Sequence, residues 1–360
     1  AGIAFGFIIG QGTTEGGSPD EAAPEEGLTS TSVPAERVDT PEPPVEEVVS
    51  FPGTILASVE FGRGLVIWPG DGQPIKTRLA SDVSTAAYNA TQDRIAAALP
   101  EYGTDRFALH VGRVGDLRFV ASGVTGFAWH PTDPGAIAWV EESEDGFALR
   151  SANVSDNAVR ATEVSVLRTA VRPAAWGSWG YALQNDDGLT TLTSSGAILA
   201  TADAQFVAAG SDGRLVVSRP AGLPLSSDWA ITAPDLADQK LLERFDALEE
   251  HPVAAAILPR SGRIVLVSNR FGDGSGLARI EILSAEGTHE AVIRSGMIAD
   301  SIAWSPDETR LAIGGYYYGS NEVRSVVLLT DSEGTTEPIE VPFDHQVRPL
   351  GVREGSNGPL

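Results

Sequence analysis

Few residues in this chain have chemistry to offer, and they are scattered. Its five histidines, His110, His130, His251, His289 and His345, lie far apart. None has a second histidine at metal-ligand spacing, and the His-Glu-x-x-His pattern of a helix-borne zinc site is absent. His130 stands in a Trp-His-Pro segment, where a role in the turn is expected rather than a role as ligand. A serine nucleophile needs a strained strand-to-helix elbow flanked by glycines. Gly-x-Ser-x-Gly does not occur, and its nearest approach, Gly177-Ser178-Trp179-Gly180, reads as a turn. There is no cysteine, so thiol nucleophiles, thiolate metal sites and disulfides are excluded. No catalytic residue, cofactor or metal is expected from these patterns.

Carboxylates are plentiful, and adjacent pairs such as Asp186-Asp187 and Glu249-Glu250 have the residue types for acid and base work on a glycosidic bond. In a chain with 49 acidic residues, chance adjacency accounts for them better. Asn185-Asp186-Asp187-Gly188 and Ser211-Asp212-Gly213 have the composition of hairpin turns. Asn269-Arg270-Phe271-Gly272-Asp273-Gly274-Ser275-Gly276 lacks the spaced acidic ligands of a calcium loop, and a flexible turn is expected there. Tyr316-Tyr317-Tyr318 stands out more. Side chains alternate along a strand, so these three cannot all face one way. Tyrosine gives contact area at low entropic cost, and the trio is expected either to pack between repeats or to form a ligand-contact rim.

The elements that must position these residues are strands. In Ser301-Ile302-Ala303-Trp304-Ser305-Pro306-Asp307-Glu308-Thr309-Arg310-Leu311-Ala312-Ile313-Gly314, an apolar strand ends on tryptophan, a Ser-Pro-Asp turn follows, and a second apolar strand leaves it. Gly126-Phe127-Ala128-Trp129-His130-Pro131-Thr132-Asp133-Pro134-Gly135-Ala136-Ile137-Ala138-Trp139 repeats the phrase. Weaker copies begin near Thr85, Pro173, Gln205 and Ala254. The starts fall roughly 35–50 residues apart, the range of a four-stranded propeller blade.

The Trp304-Ser305-Pro306-Asp307 and Arg310-Leu311-Ala312 segments resemble the repeat of TolB-like propellers, which belong with the WD-repeat-like propellers. The Gly-His and Trp-Asp pairs of true WD repeats are missing. The resemblance runs from Phe51 to about Val341. It implies an all-β propeller of about seven four-stranded blades, with six as the alternative. It implies no activity, because propellers host unrelated functions. No inner strand with the repeat pattern precedes Thr54, and Val347 to Val352 is expected to supply one, closing the ring. Blade boundaries are expected near residues 81, 123, 169, 204, 249 and 298. Pro234 to Glu250 is the one helix-like stretch, read as a short amphipathic turn on a loop or an outer strand.

Net charge is −24. Such a surface repels nucleic acid and anionic lipid, which need basic patches. Residues 1–10 are apolar and uncharged, about half the 20 residues that span a bilayer. They are expected to be the remnant of a membrane anchor or of a signal-peptide core. Residues 11–50 carry ten acidic residues against Arg37 alone, with many Pro, Ser, Thr and Gly, so a disordered acidic linker is expected. Residues 51–360 form the propeller in this reading. The function expected is that of a membrane-tethered, extracytoplasmic binding or scaffold module, monomeric, for a protein or small-molecule ligand. The alternatives are a sugar-active propeller enzyme and the sensor domain of a signalling protein.

Overall fold

In several strand quartets the second strand opens on a buried apolar run. Ile264 to Asn269 is buried at every position, as is Ala136 to Val140, which means both faces are covered. The last strands Gln239–Asp246 and His289–Ser295 show buried and exposed positions interleaved, as expected where one face meets water. Alanine recurs in first strands such as Thr85–Tyr88 and Glu250–Ile257, so neighbouring backbones can approach closely.

The computed structural model describes residues 54–59, 64–69, 75–76 and 83–353, the last range without 114, 155–158, 222–225, 247, 272–276, 319–322, 334–338 and 344–346. The expected anchor and acidic linker lie outside the described residues, as does most of the glycine-rich segment after Phe271. All described residues belong to one compact unit.

The strands are β1 (Thr54–Val59), β2 (Gly64–Pro69), β3 (Ile75–Lys76), β4 (Thr85–Tyr88), β5 (Ile95–Pro100), β6 (Phe107–Arg113), β7 (Asp116–Trp129), β8 (Ala136–Ser143), β9 (Gly146–Val154), β10 (Val159–Leu167), β11 (Arg172–Gly177), β12 (Gly180–Asn185), β13 (Gly188–Leu192) and β14 (Ile198–Ala202). The rest are β15 (Gln205–Ala209), β16 (Leu215–Pro220), β17 (Ser226–Thr232), β18 (Gln239–Asp246), β19 (Glu250–Ile257), β20 (Ile264–Arg270), β21 (Leu277–Leu283), β22 (His289–Ser295), β23 (Ile298–Trp304), β24 (Arg310–Tyr318), β25 (Val323–Asp331), β26 (Ile339–Phe343) and β27 (Val347–Arg353). They form five four-stranded sheets, β27-β1-β2-β3, β11 to β14, β15 to β18, β19 to β22 and β23 to β26, and one seven-stranded sheet from β4 to β10.

The seven-stranded sheet is two quartets sharing one strand. The first part of β7 pairs with β6 and its second part with β8. Gly123, with φ of 65°, sits where the strand passes from one partner to the other, a left-handed conformation that glycine adopts without strain. The inner strands β27, β4, β7, β11, β15, β19 and β23 touch in succession, and β23 touches β27 again. The ring is therefore closed. It closes through the C-terminal strand, since β27 pairs antiparallel with β1 from Thr54↔Arg353 to Val59↔Val347.

The core lies between facing sheets. Val265, Val267, Ile280 and Ile282 of one sheet meet Ile302, Leu311, Ile313 and Leu328 of the next. The helix-like stretch is the outer strand β18, preceded by a turn in which Leu236 has φ of 57°. A β-bulge at Leu242, opposite the Trp229/Ala230 step, puts Leu242 and Phe245 on the same inward side. A bulge adds one residue to one strand. The resulting spacing of inward residues imitates a helical face in sequence.

Candidate functional site

The repeated turn is built by its own side chains. Arg310 N donates to Ser305 Oγ at 3.0 Å, Thr309 N donates to Asp307 Oδ1 at 3.2 Å, and Ser305 N donates to Arg310 O at 3.0 Å. Glu308, at φ of 65°, is buried, and its carboxylate accepts the backbone N–H groups of Ser261 (2.9 Å) and Arg260, in the turn of the preceding sheet. Asn89 to Arg94 repeats this arrangement. Asn89 N donates to Arg94 O at 3.0 Å, and Gln92 occupies the Glu308 position at φ of 55° and donates to Trp304 O.

The tryptophans that mark the repeat tie inner strands together. Trp129 Nε1 donates to Ala87 O at 2.9 Å, and Trp176 Nε1 donates to Ala128 O at 3.0 Å. Each acceptor belongs to the residue just before the aromatic position one quartet back. Side-chain amides pin the other ends. Asn269 pairs with both the N–H and the carbonyl of Ala299 at 2.8 Å, and Gln184 accepts from Phe206 N at 2.7 Å.

These ties enclose an axial pocket of about 100 Å³ at the tryptophan end of the ring. Its walls are the inner strands, with Ala87, Ala209, Ala255 and Ala303 among them, and its rim is made by Asn89, His130, Pro131, Trp304 and Pro306. The described lining carries no carboxylate, and Arg348 is its one formally charged residue. His130 Nδ1 accepts N–H bonds from Asp133 (3.0 Å) and Thr132 (3.3 Å), and its ring meets Trp176 edge to face at 5.0 Å. Burial holds its pKa below the usual imidazole value, with Asp133 opposing. A neutral imidazole with an accepting Nδ1 agrees with both, so His130 shapes the turn.

The other singled-out residues do not converge on this pocket. Tyr316 and Tyr317 lie at the opposite end of β24, paired with Ser325 and Arg324, and both are half-buried. Tyr317 packs against the apolar core between sheets, with its hydroxyl 3.5 Å from Ser295 Oγ. Tyr318 ends the strand. Asp186 and Asp187 form the exposed β12–β13 hairpin turn, and Ser211 to Gly213 forms the β15–β16 turn, with Gly213 at φ of 90°. Gly177 to Gly180 is the β11–β12 hairpin.

The Glu249-Glu250 pair is not accounted for by chance adjacency alone. Glu250 is buried, accepts from Ser268 Oγ, and forms ion pairs with Arg270 (3.1 Å) and Arg279 (3.3 Å). Glu250 and Glu308 were not separable in the sequence from the many solvated acids. The only local signal at Glu308 is its place in the repeated turn.

No protein-family model matches the chain, and no curated protein matches it. Solved structures do. A structure from an analysis of two prolyl endopeptidases aligns with 86% of this chain at 13% identity and a TM-score of 0.56, and the chain spans about half (51%) of that protein. The fold is a β-propeller. TolB from Acinetobacter baumannii aligns over 83% of this chain and 67% of its own length, at 14% identity and a TM-score of 0.47. Hydrazine synthase from Kuenenia stuttgartiensis aligns over 68% and 75% at 9% identity and 0.45. At these identities the likeness concerns the fold alone. Among the described residues, no helix is long and apolar enough to cross a membrane.

Proposed function

We propose that this propeller is a binding module, tethered to a membrane on its extracytoplasmic side, whose ligand docks at the axial mouth framed by Asn89, His130, Trp304 and Pro306. In this reading it has seven blades, with β7 serving as the outer strand of one and the inner strand of the next. In the same reading the acidic segment 11–50 serves as a spacer and the apolar residues 1–10 take part in membrane attachment. The observation that carries the reading is the contrast between mouth and body. A chain with 49 acidic residues keeps carboxylates out of the described lining of one concave, aromatic-edged pocket. Concave, mostly apolar sites with a few placed polar groups are where ligands bind.

An enzyme acting on sugars would need carboxylates or histidines converging in the channel. The described lining offers His130 alone, already committed to its turn, and this favours the binding reading. Tyr316 and Tyr318 remain candidates for a second rim at the opposite face. The test is affinity capture from the native envelope by the full chain and by its Ala90→Trp and Ala209→Trp variants, which fill the mouth. A partner retained by the parent and lost by both folded variants supports the axial site. A partner held equally by all three places the binding surface elsewhere.

A further inference from the structure

On the outer flank, away from the axial mouth, Glu243 of β18, Glu281 of β21 and His289 of β22 each bring one ligand atom within 4.8 Å of the others. They come from two adjacent sheets. His289 Nδ1 is 3.7 Å from Glu281 Oε1, and its Nε2 is 4.0 Å from Glu243 Oε2. Both distances are too long for hydrogen bonds. One imidazole nitrogen would hold the ion, and the Nδ1–Oε1 distance sits just outside the ~3.3 Å separation of two ligands on a tetrahedral ion with bonds of about 2.0–2.2 Å.

Glu281 gives the cluster its force. It is 2% exposed, and its Oε1 accepts no well-formed hydrogen bond, although the Arg279 guanidinium lies against it. Glu250 pairs with Arg270 and Arg279, and Glu281 with Arg279, while Glu243 approaches His289. Two nearby arginines are engaged elsewhere, Arg244 with Asp228 at 2.6 Å and Arg263 with Glu290 at 3.1 Å. Two carboxylates and an imidazole thus converge beside a buried side chain, an arrangement that a bound cation would favour.

We propose that Glu243, Glu281 and His289 form a site for a divalent transition-metal ion of the zinc class, with water completing the coordination. The imidazole ligand selects against magnesium and calcium, which take oxygen ligands. The side chains of His289 and Glu243 are 48% and 27% exposed, so an ion can enter from solvent and Glu281 forms the floor. A bound ion joins the outer strand of one sheet to the outer pair of the next.

The test is calorimetric titration of the full chain, stripped with chelator, with Zn2+, and with Co2+ followed by its visible spectrum. His289→Ala and Glu243→Gln alter partly exposed side chains, and circular dichroism checks their folding. His251→Ala is the control. One ion per chain is expected, with a Co2+ spectrum of nitrogen–oxygen coordination. Affinity should fall about tenfold or more in His289→Ala and in Glu243→Gln, because each removes one of three protein ligands, and stay unchanged in His251→Ala. Binding that survives both site variants would put the ion elsewhere and overturn the proposal. So would the absence of binding at millimolar Zn2+.

Discussion

Glu308 carries two demands in one residue. It holds φ at 65°, where an L side chain is strained, and its buried carboxylate caps two backbone N–H groups of the neighbouring sheet. Glu308→Ala keeps the strain and leaves both donors without their acceptor. Arg260 and Ser261 are exposed residues, so water can take the freed N–H groups, and a loss of roughly 1–3 kcal/mol is expected for the two charge-assisted bonds. Glu308→Gly loses the same bonds but relieves the backbone, and should recover about 1 kcal/mol of that loss. Urea unfolding of the three proteins measures both steps. If alanine and glycine destabilise equally, the φ value is not a source of strain. If neither destabilises, the carboxylate is not the clamp described.

At the scale of elements, closure rests on β27. It is the inner strand of the quartet it forms with β1, β2 and β3, and it touches the inner strands on both sides of it, β23 and β4. Removing residues 344–360 therefore exposes the edge of β1 and one flank of the β23 sheet together. The expected outcome is loss of a single cooperative thermal transition and rapid proteolysis near the N-terminal quartet, read by calorimetry and limited digestion. A truncated chain that melts in one transition at the parent temperature would show that the ring does not need this strand. The closure was legible in the sequence, because a quartet that starts at Thr54 lacks an inner strand and Val347 to Val352 has no other place to pair. The quartets were legible for a related reason. A tryptophan that must reach the carbonyl one quartet back, and a turn that must be capped by Ser305 and Asp307, leave residues of fixed type. Outer strands leave weaker marks. Period-2 alternation is broken wherever a bulge falls, as at Leu242, and the exposed Leu241 and Leu248 complete a helix-like spacing without packing inward. The site residues were least legible of all. Glu243 meets Glu281 and His289 only across a sheet boundary, and Tyr317 differs from a surface tyrosine only by what packs on it.

The whole molecule is held together against its own charge. Residues 1–50 account for ten acids and one arginine, so residues 51–360 carry −15 of the net −24. Among the described residues, several of the bases that might offset this charge are committed to local pairs, such as Arg214 with Asp212 at 2.6 Å and Arg244 with Asp228 at 2.6 Å. Exposed pairs like these contribute about 0–1 kcal/mol each, which does not cancel long-range repulsion over the rest of the surface. Self-repulsion of this kind destabilises the compact state and is screened by salt, with a Debye length of about 30 Å at 0.01 M and about 10 Å at 0.1 M. Screening weakens the local pairs as well, so the sign of the salt effect shows which term is larger. With so large a net charge, repulsion should win. The melting temperature is expected to rise when sodium chloride is increased from low to physiological concentration, as measured by differential scanning calorimetry in the presence of chelator, so that trace metal at the Glu281 cluster does not contribute. A melting temperature that falls with salt would mean that the paired charges outweigh the excess, and that the acidic surface is a network of contacts rather than a field the fold has to withstand.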